Sequence, residues 1–197
     1  MKKTVFYSWQ SDLPNATNRG FIQRALEKAA AAISVDDSID VEPVVDRDTA
    51  DVSGSPDIAG TILAKIAAAD VFVPDVSLIT PASIARRCPN PNVLLELGFA
   101  IKALGWPRIV MVMNTSFGPP SDLPFDLRGR RVVPYDLDET AGDRTEQRAR
   151  LEAQLRAALR GVFKQQIATA TTAVVAPPSL EEQAIEAIGS AAPDRAA

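Results

Sequence analysis

The feature that most constrains this chain is an alternation of short β-branched or aromatic runs with longer segments of helical period, the pattern of parallel βαβ units. Runs at residues 4–8, 39–45, 70–75, 108–113 and 132–135 predict five strands. Between the first two, Ile22, Ala25, Leu26, Ala29 and Ile33 recur at helical spacing and form a one-sided apolar stripe. Ser55 as N-cap with Pro56 at the first helical position predicts a second helix, with Ile58, Ile62 and Ile66 on one face. A third spans 90–105, where Asn90 caps, Pro91 suits the first turn, Val93, Leu97, Ala100, Ile101 and Leu104 face inward, and Gly105 stops the helix. A fourth, over 145–163, places Leu151, Leu155, Leu159 and Val162 on one side.

The chain has 197 residues, and at ~100–200 residues per domain this predicts one domain and a tail. The break falls near 163. Residues 1–163 carry the alternating pattern. Residues 164–197 are rich in Ala, Thr, Pro and Gln, lack aromatics, and read as a linker or tail of the kind that leads to a further domain. Within it, Leu180, Ala184 and Ile188 predict a short helix over 179–188 that is too small to fold alone.

Absences narrow the chemistry further. With 0 histidines and 1 cysteine, Cys88, an imidazole base, a Cys/His zinc site and an intrachain disulfide are excluded, so carboxylates must carry any acid–base work and no metal is expected. A lone cysteine, an N-terminus without a signal sequence and no apolar run near the ~20 residues of a membrane span predict a cytoplasmic protein without a membrane partner. The net charge of -4 predicts no direct nucleic-acid partner. No G-x-G-x-x-G or G-x-x-x-x-G-K loop is present, which argues against a Rossmann dehydrogenase or a P-loop enzyme.

In a parallel α/β sheet, ligands bind beyond the carboxyl ends of the strands where strand order reverses. The polar loops at 8–18, 46–54 and 75–92 therefore hold the candidates. Glu96 stands out. It follows Val93 by three residues and precedes Ala100 by four, so helical geometry sets it at the edge of the buried stripe, early enough in the helix for the macrodipole to favour a carboxylate. It either acts on a ligand or hydrogen-bonds a neighbouring loop. Asp75 and Ser77 either orient a hydroxyl-rich ligand or form an Asx or Ser turn. Arg47 and Asp48 are a ligand clamp or a solvated charged loop. Trp9, beside Tyr7 and Phe6 at a strand end, offers a face on which a base could stack.

These residues also carry a resemblance. The opening Val5-Phe6-Tyr7-Ser8-Trp9-Gln10-Ser11-Asp12, the segment Gly54-Ser55-Pro56-Asp57-Ile58, the turn Asp75-Val76-Ser77, and Asn90-Pro91-Asn92-Val93-Leu94-Leu95-Glu96-Leu97-Gly98 resemble bacterial TIR-like domains over about residues 3–163. The sequence departs from the more familiar Ser-x-Trp-Cys segment before the glutamate, having Asn90-Pro91-Asn92-Val93, and so resembles a divergent branch. The resemblance implies a flavodoxin-like five-stranded parallel sheet flanked by helices. It further implies cleavage of NAD, as substrate and with no cofactor, to nicotinamide and ADP-ribose or a cyclic isomer, in an antiphage effector activated by oligomerisation. Glu96 matches the family's catalytic glutamate, and the implied substrate contacts are Tyr7, Ser8, Trp9, Asp12, Arg47, Asp75, Ser77 and Asn92. The implied partners are further copies of the chain, through TIR–TIR contacts that include the 46–54 loop, and a nucleotide-sensing domain or subunit. Two alternatives stand beside this: a TIR-like self-association and signalling module without catalysis, and a nucleoside deoxyribosyltransferase-like enzyme.

Overall fold

A computed structural model of the protein describes residues 1–48, 57–142 and 144–175. The chain divides into two compact units, Met1–Phe163 and Lys164–Ala197. In the first, five parallel strands alternate with helices: β1 Lys2–Ser8, α1 Arg19–Ser34, β2 Glu42–Arg47, α2 Ile58–Ala68, β3 Val71–Pro74, α3 Pro91–Leu104, β4 Met111–Asn114, α4 Phe125–Arg128 and β5 Val132–Tyr135, followed by α5, Thr145–Val175. The expected N-cap Ser55 and the expected 179–188 helix lie outside the described residues, as do residues 49–54 of the loop expected at an interface. Among the described residues, no helix is long and apolar enough to cross a membrane.

The two-residue period of β1 divides the interior. Val5 and Tyr7 point to one face, where they meet Phe21, Ile22 and Leu26 of α1 and Leu151, Leu155, Leu159 and Phe163 of α5. Phe6 points to the other, against Ile66 of α2, Leu97 and Ala100 of α3, and Phe72. Side chains on this second face are the ones that α2 and α3 can reach.

The strands do not form the single five-stranded ladder that was expected. Hydrogen bonding gives a three-stranded sheet, β2-β1-β3, and a two-stranded sheet, β4-β5, joined only by isolated parallel bridges, Phe72 to Ile109 and Asp75 to Val112. The reason is Pro74. Val76 donates its N–H to the Val112 carbonyl at 2.8 Å, while Asp75 donates to Ser8 on the opposite side at 2.9 Å. Amides two residues apart face the same neighbour, so Pro74 stands where the next donor toward β4 would be and has none to give.

Chain order also fixes where a ligand can sit. β1 pairs with β2 on one side and β3 on the other. The connection leaving β1 runs to one side, toward β2, and the connection leaving its neighbour β3 runs to the other, toward β4, opening a crevice beyond the carboxyl ends of these two strands.

α5 continues beyond its expected end at 163. Its last inward residue, Phe163, is 0% exposed. Residues 164–175 are Lys, Gln, Ile, Ala, Thr and Val, with neither Gly nor Pro before Pro177, so nothing in the backbone chemistry stops the helix when its buried stripe ends. Truncation after Phe163 should leave the urea unfolding midpoint of the first unit within about 0.3 M of the full chain, whereas Phe163→Ala should cost about 3–5 kcal/mol in the same measurement.

Candidate functional site

Ser8 ends β1 and shares the parity of Phe6, so it faces the side covered by α2 and α3. Its Oγ donates to Oε2 of Glu96 at 2.6 Å, across 88 residues of sequence. Glu96 is carried by the second turn of α3, whose start is fixed locally. The Asn90 side chain accepts the amides of Asn92 at 2.8 Å and Val93 at 3.2 Å, with Pro91 at the first position. Asn90 Nδ2 donates in turn to Asp12 at 2.6 Å. Asp12, expected at the substrate, instead ties the loop after β1 to the α3 cap.

The Glu96 carboxyl is half-buried. Burial pushes it up from its ordinary value, and the hydrogen bond from Ser8 pulls it part of the way back. It lines a cavity of about 230 Å³ at the end of β1, with Ser8, Trp9, Ser11, Asp48 and Asn92. Phe6, Tyr7, Gln10, Ile62 and Asn90 complete the lining. The Arg19 guanidinium stacks on Trp9, 3.4 Å from the ring centroid.

The expected site residues therefore divide. Glu96, Tyr7, Ser8, Trp9 and Asn92 meet at one cavity; Asp12, Arg47, Asp75 and Ser77 do not line it. Arg47 pairs with Tyr7 in the β1–β2 ladder. Asp48, one residue later, takes its place in the lining and adopts φ +40°, a left-handed conformation rare for residues other than glycine. Gln10 and Ser11 follow Ser8 in the polar loop already marked by the sequence. Ile62, an inward residue of α2 by its helical spacing, also lines the cavity.

Asp75 and Ser77, expected to frame the pocket, are 0% exposed. Asp75 Oδ1 accepts from the Ser77 backbone amide at 3.0 Å and the Ser77 hydroxyl at 2.5 Å. Asp75 Oδ2 accepts from Gln10 at 3.3 Å and Asn18 at 3.4 Å. Ser77 Oγ accepts from Asn18 at 3.1 Å and from the Asn114 amide at 2.8 Å. Tyr135 closes the cluster by donating to the Thr17 carbonyl at 2.8 Å. Burial pushes the Asp75 carboxyl up, against the pull of its hydrogen bonds. Both tyrosine phenols are raised well above their ordinary value, by burial first and by Asp75 next. Among the described residues no group of three or more His, Cys, Asp or Glu could hold a metal ion.

No protein-family model and no curated protein matches the sequence. Among solved structures, the chain is similar to the crystal structure of a flavodoxin-like domain from Synechococcus sp., with 13% identity and a TM-score of 0.37 over 83% of this chain and 97% of that one.

Asp75→Ala strips the acceptor from three buried side-chain donors and one buried amide, and should cost about 3 kcal/mol or more in denaturant unfolding. Asp75 and Glu96 both hold protons more tightly folded than unfolded, so their contribution to stability is greatest below the ordinary carboxylate range and falls as pH rises from there to the raised values. Glu96→Gln should flatten part of that fall, measured by chemical denaturation between about pH 4 and 8.

Proposed function

We propose that this protein cleaves the N-glycosidic bond of NAD, releasing nicotinamide and ADP-ribose or a cyclic isomer, with Glu96 as the catalytic carboxylate. The observation that supports this reading best is the Glu96 carboxyl, fastened by Ser8 at 2.6 Å on the wall of a cavity that also exposes Trp9. Without a histidine in the sequence, the chemistry must be one that a carboxylate can carry. Hydrolysis of a pyridinium riboside meets that condition. The C–N electron pair returns to the ring nitrogen, neutral nicotinamide leaves without protonation, and positive charge develops on the ribose. A carboxylate beside the sugar stabilises that charge and accepts hydrogen bonds from its hydroxyls; water then adds at the anomeric carbon and releases a proton.

Strand succession through the bridges, β2-β1-β3-β4-β5, is the flavodoxin-like order. It accords with the TIR-like reading, and with it the further proposal of an effector active on self-association. Ser8 has a defined part here as a positioning residue, donating to one carboxylate oxygen and leaving the other for the ligand.

A second reading, a nucleoside deoxyribosyltransferase-like enzyme, draws on the size of the cavity. At about 230 Å³ it suits a nucleoside better than a whole dinucleotide. Incubation with a deoxynucleoside and a free base separates the two: exchange of the base supports the transferase, and nicotinamide release from NAD supports the hydrolase.

The decisive variant is Glu96→Gln in the full chain, assayed for nicotinamide release across protein concentrations. It should lower kcat by about 10²-fold or more; release at the parent's rate would remove Glu96 from the mechanism. Activity needs the ionised carboxylate, so the rate should fall on the acid side at a pH above the ordinary glutamate value. Ser8→Ala removes the bond that pulls this carboxyl down, and should move the acid limb upward in a pH–rate profile.

A further inference from the structure

We propose that a second groove in the first unit docks a partner protein through a short segment that combines acidic with large apolar side chains. The groove lies between the loop at 82–88, which precedes α3, and the segment 121–128, which ends in α4. It shares no lining residue with the Glu96 cavity, so the proposal stands apart from NAD cleavage.

The groove has a volume of about 1010 Å³. That is at the top of the ~300–1,000 Å³ range of small-ligand sites and far more than a single anion fills. Buried Leu123, with Ala85 and Pro124, supplies apolar lining. Each wall also contributes a large apolar side chain that the fold leaves uncovered, Ile84 at 48% exposure and Phe125 at 83%. Scattered exposed apolar residues are ordinary, but two at one groove beside a buried apolar residue form the kind of pocket that an apolar anchor of a partner fills.

Charge decides which partner. The whole chain carries a net charge of -4, yet the groove is lined by three arginines, Arg86, Arg87 and Arg128, and one acid, Asp122. Asp122 is engaged by Arg87 at 3.2 Å. Arg86 has no hydrogen bond or ion pair among the described residues, and Arg128 donates only its Nε, to the Leu123 carbonyl at 3.3 Å. Two guanidinium groups beside apolar surface therefore await carboxylates, which they bind through paired donors. A nucleic acid fits less well, because exposed Asp126 adjoins Phe125 and two cations cannot follow a run of phosphates.

The groove is also fixed before a partner arrives. Arg87 donates to the Thr80 carbonyl from Nε at 3.3 Å and Nη2 at 3.1 Å, and to the Phe117 carbonyl, so one side chain ties the two walls together. Gly118 makes room for it: at φ +135° a side chain is strained, and a Cβ there would collide with the Arg87 guanidinium. Walls already in place lower the cost of ordering on binding.

The test probes the full chain with an array of synthetic peptides that combine Leu, Ile, Phe or Trp with Glu or Asp in varied spacing. Matched peptides carry Lys or Gln in place of the acids. Acidic–apolar members should bind at least about tenfold more tightly than their matched counterparts by fluorescence polarisation. Raising salt from about 0.05 to 0.5 M should weaken them several-fold. Arg86→Gln with Arg128→Gln should weaken binding by about tenfold and Phe125→Ser by about fivefold. All three residues are exposed, so each variant should keep the parent's thermal midpoint by circular dichroism. No binding by any acidic–apolar peptide at about 100 μM chain, equal binding of the Lys or Gln counterparts, or binding unchanged in the folded variants overturns the proposal. So does tighter binding of oligothymidylate through the same arginines, which would make the occupant a nucleic acid. Self-association that the peptides fail to displace and that Phe125→Ser abolishes would make it a second copy of the chain, and overturns it too.

Discussion

The buried carboxylate of Asp75 is the interaction on which the rest of the molecule depends. Among the described residues no cation pairs with it, and hydrogen bonds through Ser77, Gln10 and Asn18 offset the loss of water. Those partners come from different parts of the chain. Gln10 follows β1, Asn18 precedes α1, and Ser77 connects on to Asn114 at the end of β4. Asn114 in turn donates to the Leu137 carbonyl after β5 at 2.9 Å. One polar cluster therefore joins the ends of strands that Pro74 prevents from joining through an unbroken ladder. The cost of burying a charge there is offset only when every partner is in place, so the cluster ties the loop geometry to the fold.

The candidate site is built on top of this cluster. Ser8 donates its hydroxyl to Glu96 while its carbonyl accepts the Asp75 amide, so a single residue links the buried support to the cavity wall. Gln10 has a similar double position, holding Asp75 while contributing to the cavity lining. Glu96 is fixed from the other direction by the Asn90 cap, itself held by Asp12. A half-buried acid with both its helix and its partner held in place is fixed before any ligand arrives, which is what the proposed catalytic role requires of it.

Much of this was legible in the residues. The β-branched runs and helical stripes located all five strands and the four longer helices, and the three-residue step from Val93 placed Glu96 at the edge of the interior. Asn90 and Pro91 marked the start of α3. Other features had no local signature. A carboxylate after a strand has the same sequence context whether a ligand or the protein's own amides satisfy it, so Asp75 and Ser77 could not be assigned to the interior. Arg47 and Asp48 differ by one position, and only the backbone turn at Asp48 decides which lines the cavity. The interrupted ladder was equally hidden: Pro74 was visible as a strand-ending residue, but which neighbour it deprives of a donor depends on tertiary pairing. The extent of α5 beyond Phe163 had no signature either, because a helix can outlast the buried stripe that marks it in the sequence.

The alternating directions of β1 carry an evolutionary corollary. Tyr7 and Ser8 are adjacent in the chain but belong to opposite sides of the sheet, so substitution and change of length have unequal consequences here. Replacing the hydroxyl leaves every other contact of the strand in register. Inserting or deleting one residue before it would exchange the two sides, turning an aromatic ring toward Glu96 and the small alcohol toward α1. Descendants of this chain are thus free to vary the acid's companion by point change, while the count of residues from the start of β1 to its end is held by geometry.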